Sequence, residues 1–232
     1  MDREGGNAFF IILLAVALLG AFTATVMNIE KDGGDGSQEQ QAIQLGKMVQ
    51  SFGGIRDAIY KLKMVNECAD GEISFVHDSN TDGAYSSADD YWNAAAPISC
   101  YLFDPGGAGL GVPAIPKGVN DGTAWAVTAN NRIVGVGDES QADLAIIIPN
   151  LTLSACNELN RNFGAPTNTD GSPIEEGSNL VTTPLYVGTW GTSGANLIDN
   201  VSGSTEVCVN ATQVDGTAAG DNYYFIYTLV SR

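Results

Sequence analysis

An acidic segment in the first half of the chain spaces its oxygen-bearing side chains as calcium-binding loops do. Residues 78–83 read DSNTDG, which puts acidic or amide side chains at alternating positions and Gly83 where the chain must turn sharply. Asp89 stands at the twelfth position, where a bidentate Glu is usual, and its shorter side chain predicts weaker binding. A metal-free polar turn is the alternative, since Asp, Asn and Gly form such turns readily. The calcium interpretation predicts six ligating residues, which are Asp78, Asn80, Asp82, Ala84 through its carbonyl, Ser86 and Asp89.

Four widely separated cysteines are the next residues that could do chemistry: Cys68, Cys100, Cys156 and Cys208. No two of them form a CxxC pair, which argues against a zinc ribbon or a thioredoxin-type redox site. An even number suits two disulfides, for which three pairings are possible. Free buried thiols are the alternative.

Signals for catalysis are weak. His77 is the only histidine, so any Ser-His-Asp or Cys-His arrangement would depend on it, and no GxSxG motif accompanies it. The glycine-rich run GGAGLG at 106–111 lacks the GxGxxG spacing and the Lys of a phosphate-binding loop. The chain is therefore predicted not to be an enzyme.

Composition limits both the class of protein and its partners. The 232 residues carry 10 Lys and Arg against 27 Asp and Glu, a net charge of −17, so direct nucleic-acid binding is not expected. Apolar residues make up 44%, which is enough for a core and argues against general disorder. The 28 glycines and 8 prolines predict a turn-rich, β-rich domain.

The elements that must position these residues are one long amphipathic helix followed by strands. A helix is predicted from Ser37 to about Asn66, because its apolar residues recur at spacings of three and four. Ala124–Ala129 and Arg132–Val136 flank Asn130-Asn131 and are predicted to form a hairpin. Other predicted strands are Leu144–Ile148, Pro184–Trp190, Thr205–Asn210 and Asn222–Val230, the last inserted into the sheet, with a second helix over 151–163 that stops at Gly164.

An uncharged segment of twenty residues, Ala8–Met27, precedes all of this. As a helix it would be about 30 Å long, the thickness of the hydrocarbon core of a bilayer. The first interpretation is a cleaved secretory signal, for which Ala21 to Ala24 could supply the small-residue cleavage site. Such a signal usually has a positive n-region, whereas residues 1–6 read MDREGG. An ordinary single-span anchor is the second interpretation.

The third interpretation comes from the residues around the segment, which resembles the N-terminus of the type IV pilin and pseudopilin family. In that family a short hydrophilic leader ends in Gly, and a peptidase cuts directly after this Gly. The new N-terminus then begins a long apolar run. The resemblance implies processing between Gly6 and Asn7, and Gly20 falls fourteen residues after that cut, as family members commonly have. The chain departs from the family at the fifth mature position, where Ile11 replaces the usual Glu.

The resemblance implies an α+β fold in which a long N-terminal hydrophobic helix is followed by a β-rich antiparallel globular head. It favours the disulfides Cys68–Cys100 and Cys156–Cys208, because each closes a loop within one half of the head and family members often staple the C-terminal region in this way. The implied division is a leader at 1–6, a transmembrane and filament-core helix at 7–31, a glycine break and amphipathic helix at 32–66, and a head at 67–232.

Two functions follow as expectations. The first is a structural subunit of a type IV pilus or pilus-like filament, which serves adhesion, motility, secretion or DNA uptake. Such a subunit resides in the inner membrane before assembly and then joins copies of itself through the N-terminal helix in an extracellular helical filament. The alternative is an exported binding domain on a single membrane span, with a calcium-stabilised loop.

Overall fold

A computed structural model describes residues 35–77, 91–138, 140–191, 196–201 and 203–232. The chain divides into two units, Met1–Gln41 and Ala42–Arg232. The first contributes the start of a helix, and the second contains the rest of that helix and all the strands. The elements are α1 (Asp35–Val65), β1 (Ala126–Ile133), β2 (Asp143–Leu151), α2 (Leu153–Phe163), β3 (Glu175–Leu180), β4 (Asn196–Ile198), β5 (Glu206–Val214) and β6 (Thr217–Val230), with single 3-10 turns at Asp70–Glu72 and Ile98–Cys100.

The part of helix α1 that belongs to the second unit buries one side in the core of that unit. The bounds of α1 confirm the helix predicted over 37–66, and α1 continues through Gly53-Gly54 without a break. Lys63 lies in the last turn, where a positive charge stabilises the carbonyl end of a helix. The buried side consists of apolar residues three or four positions apart: Leu45, Met48, Phe52, Ile55, Ile59 and Leu62.

The strands form one mixed sheet in the order β3-β5-β6-β2-β1-β4. The pairs β1–β2, β2–β6 and β5–β6 are antiparallel, whereas β1–β4 and β3–β5 are parallel. Strand β6 lies inside the sheet, which confirms the prediction for the C-terminal run. Strands β5 and β6 join through Asp215-Gly216, and both residues have positive φ, as a two-residue hairpin turn that follows the strand twist requires.

Both faces of the sheet are apolar. In β2, Leu144, Ile146 and Ile148 share a core with α1, while Ala145 and Ile147 point into a second core on the opposite face. The sheet curls around this second core, so that β3 and β4 approach each other and the Asn200 side chain donates to the Glu175 carbonyl at 3.1 Å.

Helix α2 is delimited as the sequence predicts. Thr152 caps its start by accepting a hydrogen bond from the Ala155 amide, and Gly164 ends it in the left-handed conformation. Asn160 then joins the helix to β5, because its side chain donates to the Cys208 carbonyl at 2.8 Å and accepts from the Cys208 amide at 2.7 Å.

The predicted fold class, a long N-terminal hydrophobic helix followed by an antiparallel head, is wrong. The described residues contain no long apolar helix, because α1 is amphipathic and α2 has only 11 residues. No helix in those ranges combines the length and the apolar character needed to cross a bilayer. The sheet is also mixed, since both of its edge strands pair in parallel. Segment 8–27, which suggested the apolar helix, lies outside the described residues.

Two local predictions are also wrong. Asn130-Asn131 is not a hairpin turn but part of β1, where the Asn131 side chain donates to the Val181 carbonyl at 2.7 Å and accepts from the Val181 amide at 2.8 Å. Segment 184–190 forms a loop rather than a strand. Gly188 there has φ of +87° and approaches Gly71 so closely that a Cβ would lie 2.4 Å from its carbonyl oxygen.

Candidate functional site

The predicted calcium ligands and the predicted processing site lie outside the described residues. This applies to all six residues of the calcium motif, Asp78, Asn80, Asp82, Ala84, Ser86 and Asp89, and to Gly6 and Asn7. Within the described ranges, no group of three His, Cys, Asp or Glu side chains is placed to hold a metal ion. The calcium site and the cut after Gly6 therefore stay predictions.

The cysteines form two disulfides with the predicted pairing. Cys68–Cys100 ties the chain just after α1 to the 3-10 turn Ile98–Cys100, with 5.9 Å between the Cα atoms. Cys156–Cys208 ties α2 to β5, with 5.4 Å between the Cα atoms. Each disulfide therefore links two segments whose cysteines are also buried in the same hydrophobic core.

A cleft of about 440 Å³ opens beside β1 and is the candidate functional site of the described residues. Its volume falls in the range of small-molecule sites. Segments distant in the sequence supply its wall, among them His77, Tyr91, Trp125, Thr182, Leu185 and Tyr224.

Three rings form an aromatic wall of the cleft. His77 and Tyr91 lie 5.3 Å apart between ring centroids, and Trp125 lies 5.5 Å from His77 and 5.8 Å from Tyr91. The three planes are within 25° of parallel, as offset-stacked rings prefer. The wall is therefore formed before any ligand binds.

Hydrogen bonds fix each ring of this wall. The Trp125 indole donates to the Pro113 carbonyl at 2.9 Å, and the Tyr91 hydroxyl donates to the Trp125 carbonyl at 3.2 Å and accepts from the Val127 amide at 3.1 Å. Burial raises the pKa of Tyr91 well above its ordinary value. His77 Nδ1 lies 2.8 Å from a backbone carbonyl, which can only accept, so this nitrogen carries the proton.

Two carboxylates lie next to residues of the cleft wall. Asp215 accepts from the Thr182 amide at 2.9 Å and from the Thr182 hydroxyl at 2.5 Å, while Asp121 accepts from the Asn150 side chain at 2.9 Å. Burial raises the pKa of the Tyr224 hydroxyl, and the negative charges of Asp215 and Asp121 raise it further. Both carboxylates therefore act on the same wall residue, Tyr224, and place negative charge beside the cleft.

The arrangement suits a ligand that is not an anion. Aromatic and aliphatic side chains cover an apolar surface, and the hydroxyl of Tyr224 can hydrogen-bond a ligand. His77 and Tyr91 also flank the predicted calcium segment in the sequence. Their rings are in contact at the cleft, so the described residues on either side of that segment both belong to the cleft wall.

Sequence reasoning did not identify the cleft. It examined His77 only as a possible catalytic residue and placed Trp125 only in a strand. The one local signal is the dense set of Trp, Tyr and His residues in the head, which resembles an ordinary core until the fold brings the rings together.

No protein-family model, no curated protein and no solved structure matches this chain.

Proposed function

We propose that this chain is a structural subunit of a type IV pilus or pilus-like filament. The observation that carries the proposal is the position of α1: the helix begins eight residues after the uncharged segment Ala8–Met27, and it docks on a disulfide-stapled sheet. A filament subunit needs these two parts, an apolar segment that neighbouring copies cover and a stable head that faces solvent.

Energetics supports assembly through the apolar segment. Twenty uncharged residues outside a membrane would expose a large apolar surface, and covering such surface is worth about 25 cal/mol per Å². A bilayer covers the segment before assembly, and neighbouring copies cover it in a filament. The two disulfides suit an exported head, because such bonds persist in oxidising surroundings.

Substitution of Gly6 in the cell that makes the protein tests the proposal. Gly6→Leu is expected to leave an uncut precursor in the membrane and no filaments, because the family resemblance puts the processed bond directly after Gly6. Gly5→Leu is the matched control and is expected to be cut. Fragment 37–232 is expected to stay monomeric. Normal processing of the Gly6 variant, or filaments formed by the fragment, would refute the proposal.

The cleft favours a second candidate, the exported binding domain on a membrane anchor. Its aromatic wall and the hydroxyls of Tyr224 and of the threonines in its lining form the combination that binds an uncharged ring carrying hydroxyl groups, such as a sugar. Neutral mono- and disaccharides should change the tryptophan fluorescence of fragment 37–232. Tyr224→Phe should weaken that response, and Tyr223→Phe, the neighbour on the opposite face of β6, should not. An unchanged fluorescence across the panel would remove this candidate.

A further inference from the structure

The side of α1 that points away from the core forms a continuous surface. At 3.6 residues per turn, residues 43, 47, 50, 54, 61 and 65 fall on one side of the helix, opposite the buried row. We call this surface the α1 outer face, and it consists of Ile43, Lys47, Gln50, Gly54, Lys61 and Val65. Ile43 and Val65 are 54% and 66% exposed, and Met64 beside them is 83% exposed. Large apolar side chains are thus exposed on the helix that anchors the head.

The charge of this helix is opposite to that of the head. Residues 42–65 contain four basic side chains and one acidic side chain, a net charge of +3. Residues 66–232 contain four basic and twenty acidic side chains, a net charge of −16. Two of the helix cations are neutralised within the subunit, because Arg56 pairs with Glu206 at 2.7 Å and Lys63 pairs with Asp70 at 2.6 Å.

The remaining two helix cations, Lys47 and Lys61, both belong to the α1 outer face. Both are exposed, and neither forms an ion pair with another of the described residues. The exposed carboxylate of Asp57 lies one turn before Lys61 on the same side of the helix, so this side carries a net charge of +1. The outer face therefore combines two exposed cations with exposed apolar groups on a strongly acidic molecule. Opposite charges of this kind steer association and fix its register.

Two glycines in α1 leave room for a close neighbour. A Cβ placed at Gly46 or Gly54 would meet no atom within 4 Å. Glycine is the least favourable helix residue after proline. A glycine inside a helix therefore usually has a packing reason, which is close approach either of the same chain or of a partner. No packing contact with another described residue accounts for a glycine at either position. A partner that approaches the helix backbone closely would.

We propose that the α1 outer face docks on the acidic surface that the described residues after α1 form on a second copy of this chain. This inference rests on the proposed function and names the contact between heads within the filament. The two complementary surfaces are different parts of one chain, so the contact is head-to-tail. A head-to-tail contact generates an open helical filament when its rotation does not close into a ring. Salt screens it, because the range of charge interactions is about 8 Å at physiological ionic strength.

Charge reversal in the full-length chain tests the contact. Lys61→Glu is expected to lower the filament yield about tenfold or more at physiological salt, because it sets like charges against each other. The matched control is Lys61→Arg, which keeps the positive charge at the same exposed position and should stay within about twofold of wild type. Gly54→Ala should raise the melting temperature of the head and still lower the filament yield. Equal yields for the two lysine variants, or a normal yield for Gly54→Ala, would overturn the inference.

Carbodiimide cross-linking of wild-type filaments locates the contact without any variant. In filaments that mix isotope-labelled and unlabelled subunits, Lys47 or Lys61 should link to an Asp or Glu of residues 66–232 in the other copy. Links from these lysines only within one copy, or to a different protein, would overturn the inference. Absence of filaments from the wild type would instead refute the proposed function, so the two failures are distinguishable.

Discussion

The buried side chain of Asn160 should be one of the largest single polar contributions to the stability of the head. It lies in α2, is 1% exposed, and pairs with both the amide and the carbonyl of Cys208 in β5. Asn160→Ala leaves both backbone groups without a partner in a site that water does not reach. The sequence around Asn160 carries no sign of this role, so the prediction tests the packing of α2 on the sheet.

The expected loss follows from the two hydrogen bonds. Each buried backbone group left unpaired costs about 1 to 3 kcal/mol, and the better helix propensity of alanine returns at most about 0.7 kcal/mol. The net loss in the free energy of unfolding should be about 2 to 5 kcal/mol. Asn157→Ala, on the same helix, has the same propensity effect, but the side-chain oxygen of Asn157 meets no donor in the described structure. That variant should change stability by less than about 1 kcal/mol.

Urea unfolding of fragment 37–232 with its disulfides intact measures both variants. The midpoint should fall for Asn160→Ala with an unchanged slope, and it should stay close to wild type for Asn157→Ala. Equal losses for the two variants would mean that the amide of Asn160 does not join α2 to β5.

Three further predictions concern the same fragment. Burial and nearby carboxylates raise the pKa of Tyr224, so its contribution to stability is complete below about pH 10 and is lost as the pH rises through the folded-state value; Tyr224→Phe should make the alkaline loss shallower, and an unchanged pH profile would contradict this. Removing the disulfide with Cys156→Ala and Cys208→Ala should cost about 4 kcal/mol, because the bond closes a loop of 52 residues, and a loss under about 1 kcal/mol would count against it. Millimolar calcium should raise the melting temperature above its value in chelator, and Asp78→Ala with Asp82→Ala should abolish the rise; equal melting temperatures in the wild type would identify residues 78–89 as a metal-free turn.

The spacing of apolar residues along the sequence predicted the two helices and three of the strands. Helix α1 follows from apolar residues three and four positions apart, and α2 follows from the same spacing together with Gly164 at its end. Strands β2, β5 and β6 follow from short runs of branched and aromatic residues. Each disulfide joins two cysteines within one half of the head. Dividing the head into these halves, together with the family resemblance, was therefore enough to predict the pairing.

Contacts between distant segments account for what the sequence did not predict. Asparagine is common in turns, which is why the sequence predicted a turn at Asn131. The side-chain amide of Asn131 instead hydrogen-bonds the backbone of Val181, fifty positions away, and β1 continues through Asn131. The parallel pairs at both edges of the sheet depend on long connections that no local pattern encodes. The cleft likewise combines His77, Trp125 and Tyr224, which are far apart in the sequence.

The first residue of the mature protein in purified surface filaments tests the central claim most directly. Intact mass and terminal peptide sequencing would measure it on the natural protein without any substitution. A filament subunit of the proposed kind predicts that the mature chain begins at Asn7 and is recovered in the filament fraction. A chain that starts at Met1 or after Ala24, and that is found only in membranes or as a released head, would contradict the claim.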